Sequence, residues 1–524
     1  MTRALAAALL SLTLASASQA GAQPPIPRHP SELTYAPLSF ATPDPAASRH
    51  VLANHVVAYM VEDHTLPLVT VTVLVKAGGF LDPPDKRGLA SATGMLMRTG
   101  GTATLPPATF DDEVAFLAAS LTSGFGPTSG QVSMNFLAKD TGRALDLLFQ
   151  VLRTPRFDDA RFDLYRTQVL QQMARRNDET ESIEDREWTR LLRGPDHFTS
   201  QQPTKASLDR ITHDDLVAFH RAHVHPGAFT FAISGDFQTA DLVAKLDAAM
   251  AGWPIPTTGP AAVPTFAHLA VPGVYLVDKP AVNQGRVSIG HVGLRRGHPD
   301  EIAVDVMNDI LGGAGFTSRI MARVRSDEGL AYSAGSGFVP GIHYPGWFRA
   351  GFQSKSSSVA RAARIVLDEI DRIRREPVSA EELDLVKTSA IEIFPRYFAS
   401  AGAVAGTFAN DEATGRDPRY WQTYRDKVRA VTVEDVLRVA REHLRPERLV
   451  ILIVGDAAAI QKGDADHPAF TLESLGGGRP PVRILLPNPL TLDYPIGPPP
   501  VDDDGLDLAH ARAAHTVATR GTRP

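Results

Sequence analysis

ITHDDLVAFHRAHVHPGAFTFAISGD, residues 211–236, returns near the C-terminus as VTVEDVLRVAREHLRPERLVILIVGD, residues 431–456. The two align without a gap. Thr212/Thr432, Asp215/Asp435, Arg221/Arg441, His223/His443, Pro226/Pro446, Ile233/Ile453, Gly235/Gly455 and Asp236/Asp456 are identical. Each copy opens with a threonine and, three residues on, an aspartate. This is a capping-box variant whose hydroxyl and carboxylate satisfy free N–H groups of a first helical turn. A helix, a proline stop, an apolar β-rich run and a Gly-Asp turn follow. Self-similarity at so long a period predicts a chain built from two homologous halves.

The halves also begin alike. LVTVTVLV, residues 68–75, alternates threonine with apolar residues, the pattern of a strand with one buried face; residues 287–294 take the same place in the second half. A turn and a helix come next, from Gly88 in the first copy and over residues 299–311 in the second. Ala144, Leu147, Leu148, Val151 and Leu152 form a stripe at helical spacing, and Ile365, Ile370 and Ile373 mark another helix. Ser379 and Glu382 form a capping box for the helix after that. These patterns predict an α+β chain: two homologous halves, each a mainly antiparallel sheet with helices on one face. The expected domains are residues 35–252 and 265–470, joined by a Pro-rich linker at 253–264 (WPIPTTGPAAVP). The Pro-rich tail at 476–524, with its Gly-Gly-Gly and Asp-Asp-Asp runs, is expected to be extended or disordered.

A chain of 524 residues is too long for one core, in agreement with two domains. Its net charge of −6 leaves no footprint for nucleic acid. Arg3, a short apolar core and Ala20-Gly21-Ala22 read as a signal peptide over residues 1–22; that core is too short to span a bilayer, nothing later approaches twenty apolar residues, and the chain is expected to be periplasmic or secreted. With no cysteine, disulfides, thiolate zinc sites and lipoprotein anchors are excluded.

The densest motif is LGGAGFTSRIMARVRSDEGLAYSAGS, residues 311–336. It reads as a helix ending at a glycine pair, a second helix from near Ser318 to near Gly329, and then a strand. Arg325 and Tyr332 flank the end of the second helix, where a guanidinium and a phenol can donate to one developing oxyanion. With the two α+β halves, the linker and the proline-to-Gly-Asp close of each half, this segment resembles the pitrilysin/insulinase-type zinc metallopeptidases. The likeness is to their two-domain branch, which includes mitochondrial processing peptidase subunits, and it covers roughly residues 35–470.

The resemblance implies an H-x-x-E-H motif on the first helix of the first half, with two zinc ligands and a general base. Ser91, Gly94 and Met95 occupy those three positions here. The later helix expected to carry the remaining glutamate ligand matches residues 161–175, where Asp163 is the only acid. No cofactor is therefore expected in this chain. The second half keeps Arg325, Tyr332 and the Gly329-Leu330-Ala331 between them. In two-subunit relatives one chain carries the zinc motif and the other the Arg/Tyr pair. The resemblance thus implies a non-zinc-binding subunit of a heterodimer whose H-x-x-E-H-bearing partner holds the zinc, acting on unfolded peptide. The alternative is a non-catalytic scaffold or peptide-holding protein of the same fold.

Other readings are weaker. Arg325 could pair Asp327 or Glu328 while Tyr332 caps a core edge. His220, His223 and His225 suggest a metal site, but only His223 recurs in the repeat, which favours helix-end packing. Gly312, Gly313 and Gly315 lack the Gly-Lys-Ser/Thr of a phosphate loop. Neither Ser91 nor Ser336 has a histidine at a telling distance, which leaves a self-sufficient hydrolase without a nucleophile–base pair.

Overall fold

The computed structural model describes residues 29, 32–33, 39–257 and 259–495. The expected signal peptide and the last part of the tail lie outside the described residues. Residues 1–41 form a separate unit; residues 42–524 form one, which contains both halves and all that follows. No helix among the described residues is long and apolar enough to cross a membrane.

The first half holds strands β1 (Arg49–Val51), β2 (Val57–Glu62), β3 (Leu68–Val75), β4 (Ser120–Phe125), β5 (Gly130–Leu137) and β6 (Phe229–Gly235). The second holds β7 (Gly273–Asp278), β8 (Gln284–Val292), β9 (Ala331–Val339), β10 (Trp347–Lys355), β11 (Val450–Gly455) and β12 (Val482–Ile484). They form two six-stranded sheets, ordered β1-β2-β6-β3-β5-β4 and β12-β7-β11-β8-β10-β9. Five strands of each sheet, from β2 to β4 in one order and from β7 to β9 in the other, correspond one to one. β2 runs parallel to β6 as β7 does to β11, and the remaining pairs of these strands are antiparallel in both sheets. Only the outermost strand differs, since β1 pairs antiparallel to β2 and β12 parallel to β7.

Both predicted capping boxes are present, with Thr212 and Thr432 each accepting from the backbone N–H of Asp215 and Asp435. In β3, Val69, Val71, Val73 and Val75 point into a core shared with Leu147 and Leu148. On its other face Thr72 and Ser133 hydroxyls meet at 2.9 Å and the Asn135 amide donates to Thr70.

Beyond the face that each half covers with its own helices, the opposite face of each sheet is covered as well. In β11, Ile451 and Ile453 join the main core of the second half, while Val450, Leu452 and Val454 join another on the opposite face. That second layer is helix Thr180–Arg193 of the first half, through Ile183, Trp188 and Leu192. Reciprocally, helix Ala401–Thr414 of the second half lies on β2 and β6. There Phe408 packs against Tyr59, whose hydroxyl donates to Glu412 at 3.1 Å. Each half therefore donates one helix to the back of the other's sheet. The continuous apolar runs of β6 and β11 follow from burial on both faces.

Among the described residues the chain from Trp253 to Pro272 has no regular structure, and Phe266, just past the linker, packs against His197 and Tyr344. The described part of the tail packs on the body of the chain. Val482–Ile484 extends the second sheet. Beyond it the chain crosses to the first half as a strap: Asn177 donates to the Pro487 carbonyl, Arg176 to that of Pro489, and the Lys205 amide to that of Leu490.

Candidate functional site

Helix Glu301–Asn308 widens into a π-helical turn, Asp309–Gly313, before the chain turns through Gly315–Thr317. Gly312 permits this turn to lie against β9, because a Cβ there would stand 2.5 Å from the Ser336 nitrogen. Ser336 in turn donates to Asn308 at 2.8 Å, so this serine ties helix to strand and is no nucleophile. The next helix starts at Arg319–Met321 and widens into a second π turn, Ala322–Asp327. Such wide turns re-aim side chains and are frequent at functional sites.

Arg325 sits in the second wide turn and Tyr332 is the second residue of β9. The Arg325 guanidinium lies 4.6 Å from the ring centres of both Tyr332 and Phe316. Both rings are open to solvent, Tyr332 at 83% and Phe316 at 66% exposure. The nearby acids are engaged elsewhere: Asp327 pairs with Arg323 at 3.6 Å and Glu328 with Arg361. Among the described residues the Arg325 side chain makes no ion pair or hydrogen bond. Two aromatic rings thus hold a cation whose N–H groups have no partner among the described residues. Sequence reasoning missed Phe316; the signal was an aromatic residue placed between a glycine-rich turn and a helix start.

The positions that would carry a zinc motif lie on helix Leu89–Thr99. Its first turn is capped by Asp82, which accepts from the N–H groups of Gly88 at 2.8 Å and Ala90 at 2.7 Å. Ser91 and Met95 stand exposed one turn apart. Gly94 is buried against β4, and a Cβ on it would lie 2.5 Å from the Phe125 nitrogen. The Ser123 hydroxyl seals the contact by donating to the Gly94 carbonyl at 2.5 Å. A glutamate has no room at the general-base position. A hydroxyl and a thioether at the flanking positions are not zinc ligands. Asp163, on helix Asp159–Ala174, is exposed and pairs with Arg166 at 3.4 Å. The residues present do not fit a catalytic zinc.

The tempting histidines are also accounted for. His220 donates to the Leu152 carbonyl at 2.9 Å, and burial pushes its imidazole down to about 4. His223 packs on the Phe219 ring, and burial likewise lowers His225. The three do not converge. The one cluster with metal-like spacing among the described residues is His298, Asp300 and His443. Its donors are spent: Asp300 receives Arg438 and His443, each at 2.8 Å, and His298 Nδ1 accepts the Asp300 N–H at 3.1 Å. Hydrogen bonding from the Arg438 guanidinium holds Asp300 down at about 2, and a cation placed there would meet that guanidinium.

β4 and β9, the outer strands of the two sheets, bear the sealed Gly94 contact and Tyr332 respectively.

Residues 57–191 match the insulinase family, peptidase M16, and residues 210–390 match the peptidase M16 inactive domain. The first match lies within the first half, the second begins near the end of that half and runs into the second, and the chain belongs to the peptidase M16 family. It is 22% identical over 400 residues to the non-peptidase homologue YmxG of Helicobacter pylori, covering 75% of this chain and 90% of that one. It is 24% identical over 340 residues to an uncharacterized zinc protease of Streptomyces coelicolor, covering 63% of this chain and 73% of that protein. The fold is similar to that of a peptidase M16 inactive domain from Pseudomonas fluorescens, with a TM-score of 0.70 and 23% identity over 78% of this chain and 97% of the other.

Proposed function

We propose that this chain is the non-zinc-binding subunit of a heteromeric zinc metalloendopeptidase. Arg325 and Tyr332 bind the carbonyl oxygen of the scissile peptide bond, in a cavity completed by a homologous subunit bearing H-x-x-E-H. The zinc and the general base belong to that partner. One observation carries the reading: Arg325 has no ionic partner among the described residues, yet is held against Phe316 and Tyr332. A surface arginine without such a role gains little from that order, since fixing a long side chain costs rotamer entropy. Unpartnered N–H groups beside a phenol suit a developing oxyanion. Unfolded peptide would add to an exposed sheet edge, β4 or β9, through main-chain hydrogen bonds that tolerate many sequences. The chain would work in the periplasm or outside the cell.

The name of the H. pylori relative, a non-peptidase homologue, favours a second reading: a scaffold that holds peptide without cutting it. One experiment separates the two. The tagged chain is recovered with its partners from the native periplasm, and peptidase activity is assayed with and without a zinc chelator. The enzyme reading expects chelator-sensitive activity with a co-eluting chain of similar size, lowered about two to three orders of magnitude by Arg325→Ala. Activity that is absent, or indifferent to Arg325→Ala, leaves the scaffold.

A further inference from the structure

A second concave site lies where the tail strap meets both halves. Arg87, just before helix Leu89–Thr99, and Arg186 and Arg190, one turn apart on helix Thr180–Arg193, line a recess of about 250 Å³. Tyr494 of the strap supplies another wall. None of these residues belongs to the Arg325 site, and the inference does not rest on the function proposed above.

Arg186 is only 6% exposed. Its Nε pairs with Glu187 at 2.8 Å and its Nη1 reaches the Arg176 carbonyl at 3.5 Å, but its Nη2 is buried without a partner. The Arg87 Nε is buried and unpartnered too, while its Nη atoms donate to Gln201 and to the Asp82 carbonyl. Arg190 stacks on the Tyr494 ring at 4.2 Å and makes no ion pair among the described residues. Arg176 adjoins the group, and burial together with the Arg186 charge holds its guanidinium down at about 10.

Negative charge here is already spoken for. Glu187 accepts from Arg186 and from the Tyr494 hydroxyl, 2.9 Å away. Asp82 spends its oxygens on the helix start at Gly88 and Ala90. Four guanidinium groups therefore share two engaged carboxylates. Burying guanidinium charge without a counter-charge is costly, and the planar fork of arginine suits carboxylate and phosphate oxygens.

We propose that this recess binds a small oxyanion, a carboxylate or a phosphate group. Its volume equals about eight waters at ~30 Å³ each, enough for phosphate or for a peptide's terminal carboxylate with its residue. The bound anion joins the first half, the helix behind the second sheet and the strap, so it stabilises the seam between them.

The test is calorimetric titration of the full chain with inorganic phosphate and with two tetrapeptides that differ only in a free or amidated C-terminal carboxyl. Melting temperature is followed in parallel. The expected result is one saturable site for phosphate, for the free-acid peptide or for both, with none for the amide, and a melting temperature that rises with the bound probe. Phosphate alone assigns the site to phosphate, and the free acid alone assigns it to a chain terminus. Arg190→Gln removes no ion pair, so the fold persists while affinity falls roughly tenfold or more. Arg419→Gln removes the same charge from an exposed position and leaves binding unchanged. No binding of either probe at millimolar concentration overturns the proposal. Unchanged affinity in Arg190→Gln, or an equal loss in Arg419→Gln, overturns it as well.

Discussion

Gly94 meets Phe125 so closely that a Cβ on the glycine would stand 2.5 Å from the phenylalanine's backbone nitrogen. Helix Leu89–Thr99 and β4 are thus packed backbone to backbone at the position that the resemblance assigns to a general base. The loss of the motif is therefore built into the packing as well as the residue choice.

Restoring the motif should accordingly fail in a graded way. Ser91→His with Met95→His changes two exposed positions and should leave the melting temperature nearly unchanged. Adding Gly94→Glu forces a side chain into β4 and buries a carboxylate without a partner, at a cost of at least about 3 kcal/mol. Thermal unfolding of the double and triple variants checks this. A triple variant as stable as the double one would mean that helix and strand part easily.

Phe316 and Tyr332 each stack with the Arg325 guanidinium, 4.6 Å from it, and both are largely exposed. Phe316→Ala removes one stacking face, worth about 0.5–1 kcal/mol at an exposed site. It should lower the activity of the partnered chain several-fold, against the two to three orders of magnitude expected for Arg325→Ala. Stability should fall by no more than the stacking lost, about 1 kcal/mol for Phe316→Ala and about 2 kcal/mol for Arg325→Ala. The discriminating result is a kinetic loss in Arg325→Ala well beyond that stability loss; activity that only tracks the loss of folded chain would mark the stack as a structural prop.

Local chemistry explains what the sequence disclosed and what it hid. Thr212 with Asp215 and Thr432 with Asp435 cap helices where their spacing required, and residues 68–75 form β3 with its valines inward. Hydroxyl caps and period-two alternation act within one element, so they survive in a linear reading. The helix on the back of each sheet comes from the other half, a long-range partnership with no local mark beyond the unbroken apolar runs of β6 and β11. Those runs were the available clue to burial on both faces. Arg325 and Tyr332 were legible through the motif around them, whereas the stacking of Phe316 depends on two wide helical turns that no periodicity announces. The strap was hidden because its proline content suits an edge strand and an extended crossing as well as disorder.

The strap should contribute stability that composition alone would not assign to it. Its carbonyls at Pro487, Pro489 and Leu490 receive Asn177, Arg176 and the Lys205 amide, and its Tyr494 reaches Glu187. At about 1 kcal/mol for each hydrogen bond, a chain ending at residue 480 should lose roughly 4 kcal/mol even before β12 is considered. Hydrogen exchange should quicken in helix Thr180–Arg193, which carries Glu187, and in the β7 edge that β12 covers. Unchanged protection at both places would leave the strap without a structural role.

Each half also buries a neutral histidine whose protonation opposes folding. His291 donates from Nδ1 to the Val292 carbonyl at 3.0 Å and accepts the Arg445 N–H on Nε2 at 3.1 Å, so it has no room for a second proton. Burial lowers both His291 and His220 from the ordinary 6.5 to about 4. Because the folded value is the lower one, the unfolded chain binds more protons in the interval between the two. The stability each histidine supplies is complete above about 6.5 and is lost as pH falls toward about 4. At about 1.4 kcal/mol per unit, the full loss is roughly 3 kcal/mol for each. His291→Gln cannot be protonated, so its stability should fall less between about pH 7 and about pH 4.5 than that of the parent chain. Urea unfolding at the two pH values measures the difference. Equal acid losses in parent and variant would show that His291 is not the group being titrated.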